Sequence, residues 1–145
     1  ADLEYDPADY AKLLFPIKEF SSDLVMGSRF SAPRYSRVHY FWHKIGNRCI
    51  TLIFNLLNNT TFTDVYSCYL VYQRKLLNSE SLITNGWEQH AEILSRAVKI
   101  AQNIYEVPIS YRGRSYAEGK KIKPTDTFAV IWAMIKFRFG SHPSN

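Results

Sequence analysis

Short apolar runs alternate along this chain with longer stretches of helical periodicity, and that alternation restricts it to a layered α/β fold. Leu24-Val25-Met26 ends at Gly27 and suits a buried strand. Before it, Pro7 can occupy the first turn of a helix over Pro7 to Phe20, with Tyr10, Leu13, Leu14, Ile17 and Phe20 as its apolar residues. After it, Ser31 to Ser36 reads as a loop. Val38, Phe41, Ile45, Cys49, Leu52 and Leu56 then recur at helical spacing for about five turns. Their opposite stripe is polar and basic, with His43 and Asn47, and Lys44 and Arg48, each four apart.

Asn58 to Thr63 is a polar turn and Cys68 to Tyr72 a second strand. Trp87 to Gln102 is predicted as a helix with Ala91, Leu94, Val98 and Ala101 on its buried side. Ile104 to Tyr111 is a third strand, and Pro108 places it at an edge or a bulge. A basic loop, Gly113 to Pro124, leads into a final helix with Phe128, Ile131, Trp132, Ile135 and Phe139, flanked by Lys136 and Arg138. The expected core is a mixed sheet of few strands packed by helices. So thin a sheet leaves an open edge unless another segment pairs with it.

The 145 residues have room for one domain, and 46% hydrophobic with 21% charged residues argue against disorder or a fibrous repeat. Charge is unevenly spread within the net +5. Asp2, Glu4, Asp6, Asp9, Glu19 and Asp23 make the opening acidic, whereas Leu24 to Thr63 holds no carboxylate but carries Arg29, Arg34, Arg37, Lys44 and Arg48. A second basic cluster comprises Arg112, Arg114, Lys120, Lys121 and Lys123. Such segments attract phosphates or an anionic membrane surface. Nucleic acid is not an expected partner, because no motif of that class accompanies the charge. Cys49 and Cys68 lack metal-ligand spacing and read as reduced thiols. No apolar run approaches the ~20 residues needed to cross a bilayer.

Asp2 and Glu4 are two apart before a turn, a spacing that lets both carboxylates approach one hard cation. The string Ala-Asp-Leu-Glu-Tyr-Asp-Pro at 1 to 7 is similar to the Asp-Ala-Asp-Leu-x-x-x-Pro segment of family 2 glycosyltransferases. The likeness continues through Gly27-Ser28-Arg29-Phe30, Gly46-Asn47-Arg48, Thr63-Asp64-Val65-Tyr66-Ser67-Cys68-Tyr69 and Gly113-Arg114-Ser115-Tyr116-Ala117-Glu118-Gly119-Lys120-Lys121. Four ordered motifs over nearly the whole chain resemble the dolichol-phosphate mannose synthase type of that family.

The resemblance implies part of a GT-A fold: residues 1–145 as the C-terminal, acceptor-binding half, beginning inside the DxD motif, with the nucleotide-binding half outside the sequence and this piece inactive alone. It implies Asp2 and Glu4 as ligands of Mg²⁺ or Mn²⁺, and Arg114 and Lys120 as the groups that embrace a donor diphosphate. Arg29, Asn47, Arg48 and Ser67 would receive an acceptor phosphate, with Asp2, Arg29 and Arg114 the catalytic set. The implied reaction moves a hexose, with inversion, from a nucleotide diphosphate sugar to a polyprenyl phosphate or glycan acceptor. Its implied place is the cytoplasmic face of the cell membrane, in envelope biogenesis, through peripheral membrane contact. Gly119 stands where that family more often has Ser, and Lys121 is an added basic residue. Glu88 and Glu92, four apart, are candidates for touching sugar or acceptor, while His90 is read as packed or hydrated. The other class of function open to such a chain is a non-catalytic basic module for anionic lipid headgroups.

Overall fold

The computed structural model describes residues 4–31, 41–113 and 126–140, excluding the side chain of residue 126. A one-turn 3₁₀ helix at Pro7–Asp9 leads into α1 (Tyr10–Glu19), then β1 (Leu24–Ser28), α2 (Phe41–Asn58) and β2 (Leu70–Tyr72). Two further 3₁₀ turns, Arg74–Leu76 and Ser79–Ser81, precede α3 (Gln89–Ile100), β3 (Ile104–Pro108) and α4 (Asp126–Phe139). The fold is α/β, as the alternation of runs requires.

The sheet is mixed and three-stranded, in the order β2-β1-β3. β1 is fully buried and pairs antiparallel with β2, Leu24 opposite Tyr72, and parallel with β3, Leu24 opposite Ile104 and Ser28 opposite Pro108. Successive strand residues face opposite sides. Leu24 and Met26 accordingly enter the main core with Ile50 and Phe54 of α2, Leu94 of α3 and Met134 and Phe137 of α4. Buried Leu13 of α1 covers the other side of β1. Pro108 ends the edge strand, where a missing N–H costs no ladder bond.

Gly27 is fixed by space. A Cβ there would lie 2.9 Å from Ile109 Cγ2 and 3.0 Å from Tyr69 Cβ, so the strand end closes only around glycine. Helix ends use the left-handed region instead: Ser21 follows α1 with φ 51° and Asn59 follows α2 with φ 52°. After α1 the Ser22 N–H reaches back to Pro16 C=O at 3.1 Å, closing the turn.

Helix α2 differs from the sequence expectation. Its buried stripe is Ile50, Thr51, Phe54 and Asn58, whereas Phe41, Cys49, Leu52 and Leu56 of the expected apolar stripe are exposed. Both faces of this helix carry apolar residues, and packing against α3 and α4 selected the one with Ile50 and Phe54. Helix α4 behaves likewise: Val130, Ala133, Met134 and Phe137 are buried, while Phe128, Trp132, Ile135 and Phe139 form an outer stripe. Among the described residues no helix is long and apolar enough to cross a membrane. Cys49 and Cys68 are free and exposed.

Candidate functional site

Ligands of open α/β sheets gather beyond the carboxyl ends of the parallel strands. Here β1 and β3 deliver Ser28-Arg29 and Ile109 to Tyr111 to that edge, and two further segments join them. Glu4-Tyr5 comes alongside through the Tyr5–Tyr111 bridge, with Arg112 N–H donating to Glu4 C=O at 2.8 Å. Buried Asp9 pins the same segment by accepting Ser110 N–H at 2.6 Å while pairing with Lys12. The turn after α2 is built by Asn55, whose side chain donates to Phe62 C=O and accepts from Thr60 Oγ1 and Phe62 N–H. That turn carries Thr63 and Asp64 to the edge.

Arg29 and Asp64 form a bidentate pair. Arg29 Nε donates to Asp64 Oδ2 at 2.7 Å and Nη2 to Oδ1 at 2.9 Å, and the Arg29 backbone N–H also reaches Oδ2 at 3.1 Å. The side chains are 10% and 0% exposed. Burial alone would depress the guanidinium, but the hydrogen bonds and charge of Asp64 more than offset it and Arg29 stays protonated. The guanidinium also lies 5.1 Å from the centre of the Tyr111 ring. Tyr111 in turn donates its hydroxyl to Glu4 Oε2 at 3.2 Å. Burial, with the nearby Glu4 charge, raises the Tyr111 phenol, so it remains a donor at neutral pH. Behind it, Tyr5 packs against Tyr69 and Tyr111 at centroid distances of 4.9 and 5.1 Å, and Tyr10 stacks on Tyr69. Burial pushes the Tyr5 phenol up, and its oxygen accepts Cys68 N–H.

A third carboxylate, Glu106 of β3, accepts from Thr63 and Asp64. Asp64 therefore already neutralises Arg29, and Glu4 and Glu106 add negative charge at the same edge. An anion entering here meets a rigid guanidinium, already paired with Asp64, with donors to spare.

The expected site residues separate as follows. Glu4 and Arg29 come together through Tyr111. Asp2, Arg114 and Lys120 lie outside the described residues. Ser67 is buried and its hydroxyl accepts Tyr69 N–H at 3.3 Å. Asn47 and Arg48 sit in the first half of α2, the former half-buried and the latter exposed, and no carboxylate pairs with Arg48 among the described residues. Glu92 does not point to a ligand: it is buried, bonds Thr84 and Ile83 N–H, and pairs with Arg96 at 2.7 Å. Burial pushes its carboxyl up, but those bonds outweigh it and hold Glu92 below the usual range. His90 is packed as expected, with Nε2 3.1 Å from Val65 C=O, and burial lowers its pKa.

Sequence reasoning passed over Asp64, Glu106 and the tyrosines. Two signals were there: Asp64 is the first carboxylate after the acid-free basic stretch, and Glu106 is the one charged residue between Ile104 and Tyr111. Among the described residues no three His, Cys, Asp or Glu side chains group as metal ligands. Glu4 offers one hard oxygen ligand set, anchored by Tyr111, which fits a cation that takes its other ligands from elsewhere.

No family model matches the chain, and no solved structure does. Among the curated proteins similar to it, two align over nearly its whole length. One is the UDP-N-acetylglucosamine--dolichyl-phosphate N-acetylglucosaminyltransferase of Methanococcus voltae, 29% identical over 142 residues, 97% of this chain and 57% of that protein. The other is the low-salt glycan biosynthesis hexosyltransferase Agl6 of Haloferax volcanii, 26% identical over 144 residues, 99% of this chain and 34% of that protein. The chain thus spans about half the length of the first relative and a third of the second. Its α/β architecture, a small mixed sheet packed by helices, accords with part of a glycosyltransferase fold, and both relatives are named for sugar transfer.

Proposed function

We propose that this chain forms the acceptor-side part of a family 2, GT-A glycosyltransferase that moves a hexose from a nucleotide diphosphate sugar to a polyprenyl phosphate or a glycan. The observation that carries the reading is the convergence of Glu4, Arg29, Asp64 and Tyr111 at the carboxyl edge of the central strand. Glu4, Arg29 and Asp64 come from motifs that occur in the same order in that family. The activities for which the two relatives are named, one of them on dolichyl phosphate, support the same class.

An acceptor phosphate needs no general base, because its oxygen is already ionised. That oxygen attacks the anomeric carbon while the bond from that carbon to the diphosphate oxygen breaks, and the electron pair leaves with the nucleotide, inverting the configuration. Arg29, locked by Asp64, presents its remaining donors to phosphate oxygens at no cost in reorganisation. Positive charge on the donor diphosphate would come from Arg114 and Lys120 and from Mg²⁺ or Mn²⁺ held by Asp2 and Glu4. The ion would supply charge neutralisation on the departing diphosphate. Asn47, Arg48 and Ser67 would complete the acceptor side.

The outer apolar stripes of α2 and α4, with Trp42, Leu56, Phe128 and Trp132 exposed beside Lys44, Arg48 and Lys136, support peripheral contact with an anionic leaflet, at the cytoplasmic face. Incubating the full-length gene product with nucleotide sugars, a polyprenyl phosphate and Mg²⁺ or Mn²⁺ should yield a glycolipid of inverted anomeric configuration, lost with chelator. Vesicle binding that persists while no nucleotide sugar is consumed would replace the transferase with the non-catalytic lipid-binding module.

A further inference from the structure

Glu106 occupies β3 opposite Met26, and the bonds of its carboxylate end on Thr63 and Asp64. Oε1 accepts Thr63 N–H at 3.0 Å and Asp64 N–H at 3.1 Å, while Oε2 accepts Thr63 Oγ1 at 2.9 Å. Because Thr63 spends its hydroxyl hydrogen on Glu106, the 2.6 Å contact between Thr63 and Ser28 hydroxyls is donated by Ser28. Ser28 Oγ then accepts Phe30 and Ser31 N–H at 3.1 and 3.0 Å, fixing the backbone on one side of Arg29. On the other side Asp64, held by the same carboxylate, grips the guanidinium through both oxygens.

We propose that Glu106 is a positioning residue that aims Arg29 at its anionic ligand by fixing the Thr63-Asp64 loop. The inference rests on the reading that Arg29 receives a phosphate oxygen. Loop anchoring alone does not call for this residue. A second carboxylate beside buried Asp64 adds like-charge repulsion, and burial together with Asp64 raises the Glu106 carboxyl. What Glu106 gains is a single hard point from which both the backbone around Arg29 and its ion-pair partner are set. A guanidinium displaced by about 1 Å loses much of its binding advantage.

The test compares Glu106→Ala with Glu106→Gln in the full-length gene product. Glutamine keeps an oxygen for the two N–H groups at Oε1 and an NH₂ that can donate to the Thr63 hydroxyl, whereas alanine keeps neither. Two readings are taken: the Arg29 Nε–H resonance, assigned by its loss in Arg29→Lys, and the KM for polyprenyl phosphate against that for nucleotide sugar. Glu106→Ala should shift or broaden the Arg29 resonance and raise the acceptor KM by about tenfold or more, leaving the donor KM within about twofold, and Glu106→Gln should restore both. An unmoved Arg29 resonance in Glu106→Ala would overturn the proposal, as would acceptor and donor KM rising together. Should Glu106→Ala not fold, Thr63→Val removes one of the groups that Glu106 holds and should give a smaller shift of the same resonance. If the wild-type protein transfers no sugar, the functional reading falls separately. The Arg29 resonance, followed during titration with inorganic phosphate, still decides the positioning role.

Discussion

The described residues contain two buried arginine–carboxylate pairs of nearly identical chemistry, and their surroundings differ. Arg96 and Glu92 belong to one helix, four residues apart, with side chains 8% and 0% exposed. Glu92 also caps the Ile83-Thr84 loop, and Arg96 lies over the Phe137 ring at 4.9 Å. Arg29 and Asp64 are as deeply buried, but they join a strand end to a loop from a distant part of the chain, with Glu4, Glu106 and Tyr111 close by. The first pair staples a helix to its neighbours. The second sits at the carboxyl edge of the parallel strands, where ligands of open α/β sheets gather. Burial and ion pairing alone do not mark a site; position at the strand ends does.

The largest expected effect comes from removing each carboxylate. Asp64→Ala and Glu92→Ala should each cost about 3–5 kcal/mol in urea unfolding, because each leaves a buried guanidinium without its partner. Only Asp64→Ala should also abolish polyprenyl phosphate binding by calorimetry, and equal loss in both variants would erase the distinction between the pairs. Replacing both partners by apolar residues sharpens it. Glu92→Met with Arg96→Leu should be neutral or stabilising by up to about 4 kcal/mol, with binding retained. The buried Arg96 Nε, unpartnered in the native protein, favours that outcome. Arg29→Leu with Asp64→Leu should eliminate binding whatever the stability.

Acid titration should separate the regions by sign. Glu92 is held below its ordinary value of 4.5, so its contribution is present above pH 4.5 and disappears as pH falls below it. Glu106 is raised above 4.5, so its proton favours the folded state and its contribution shrinks as pH rises from 4.5 through the raised value. Urea midpoints against pH for Glu92→Gln and Glu106→Gln should therefore lose slopes of opposite sign; slopes of one sign would contradict the assignment. The smallest effect is a control away from both pairs. Ser21→Gly relieves a left-handed residue at the end of α1 and should add up to about 1 kcal/mol without touching polyprenyl phosphate binding, measurable by thermal melting.

Much of the fold was legible because local pattern and tertiary role agree in β1, α3 and β3. Leu24-Val25-Met26 forms the buried central strand, and Ala91 and Leu94 face inward as expected. Helix α2 was misread on its face because apolar residues line both sides, and only packing against α3 and α4 decides between them. Of the residues singled out from strand ends and family motifs, Arg29 and Glu4 meet at this edge through Tyr111. Asp64 lies inside one of those motifs and Glu106 outside all of them, but the role of neither shows until segments remote in sequence meet. Glu92, from its spacing to Glu88, looked available to a sugar, but its partner Arg96 and the Ile83-Thr84 amides satisfy it internally.

The sheet's pairing has a consequence for synthesis. β1 finds its antiparallel partner only when Tyr72 has been made, and its parallel partner only at Ile104 and beyond. β1 therefore keeps both edges bare until β2 is made and one edge bare until β3 follows, a non-local order of assembly that slows folding and exposes the nascent chain to association. Helix formation at α1 and α2 cannot shorten that wait, so chaperone dependence should be set by the arrival of β3.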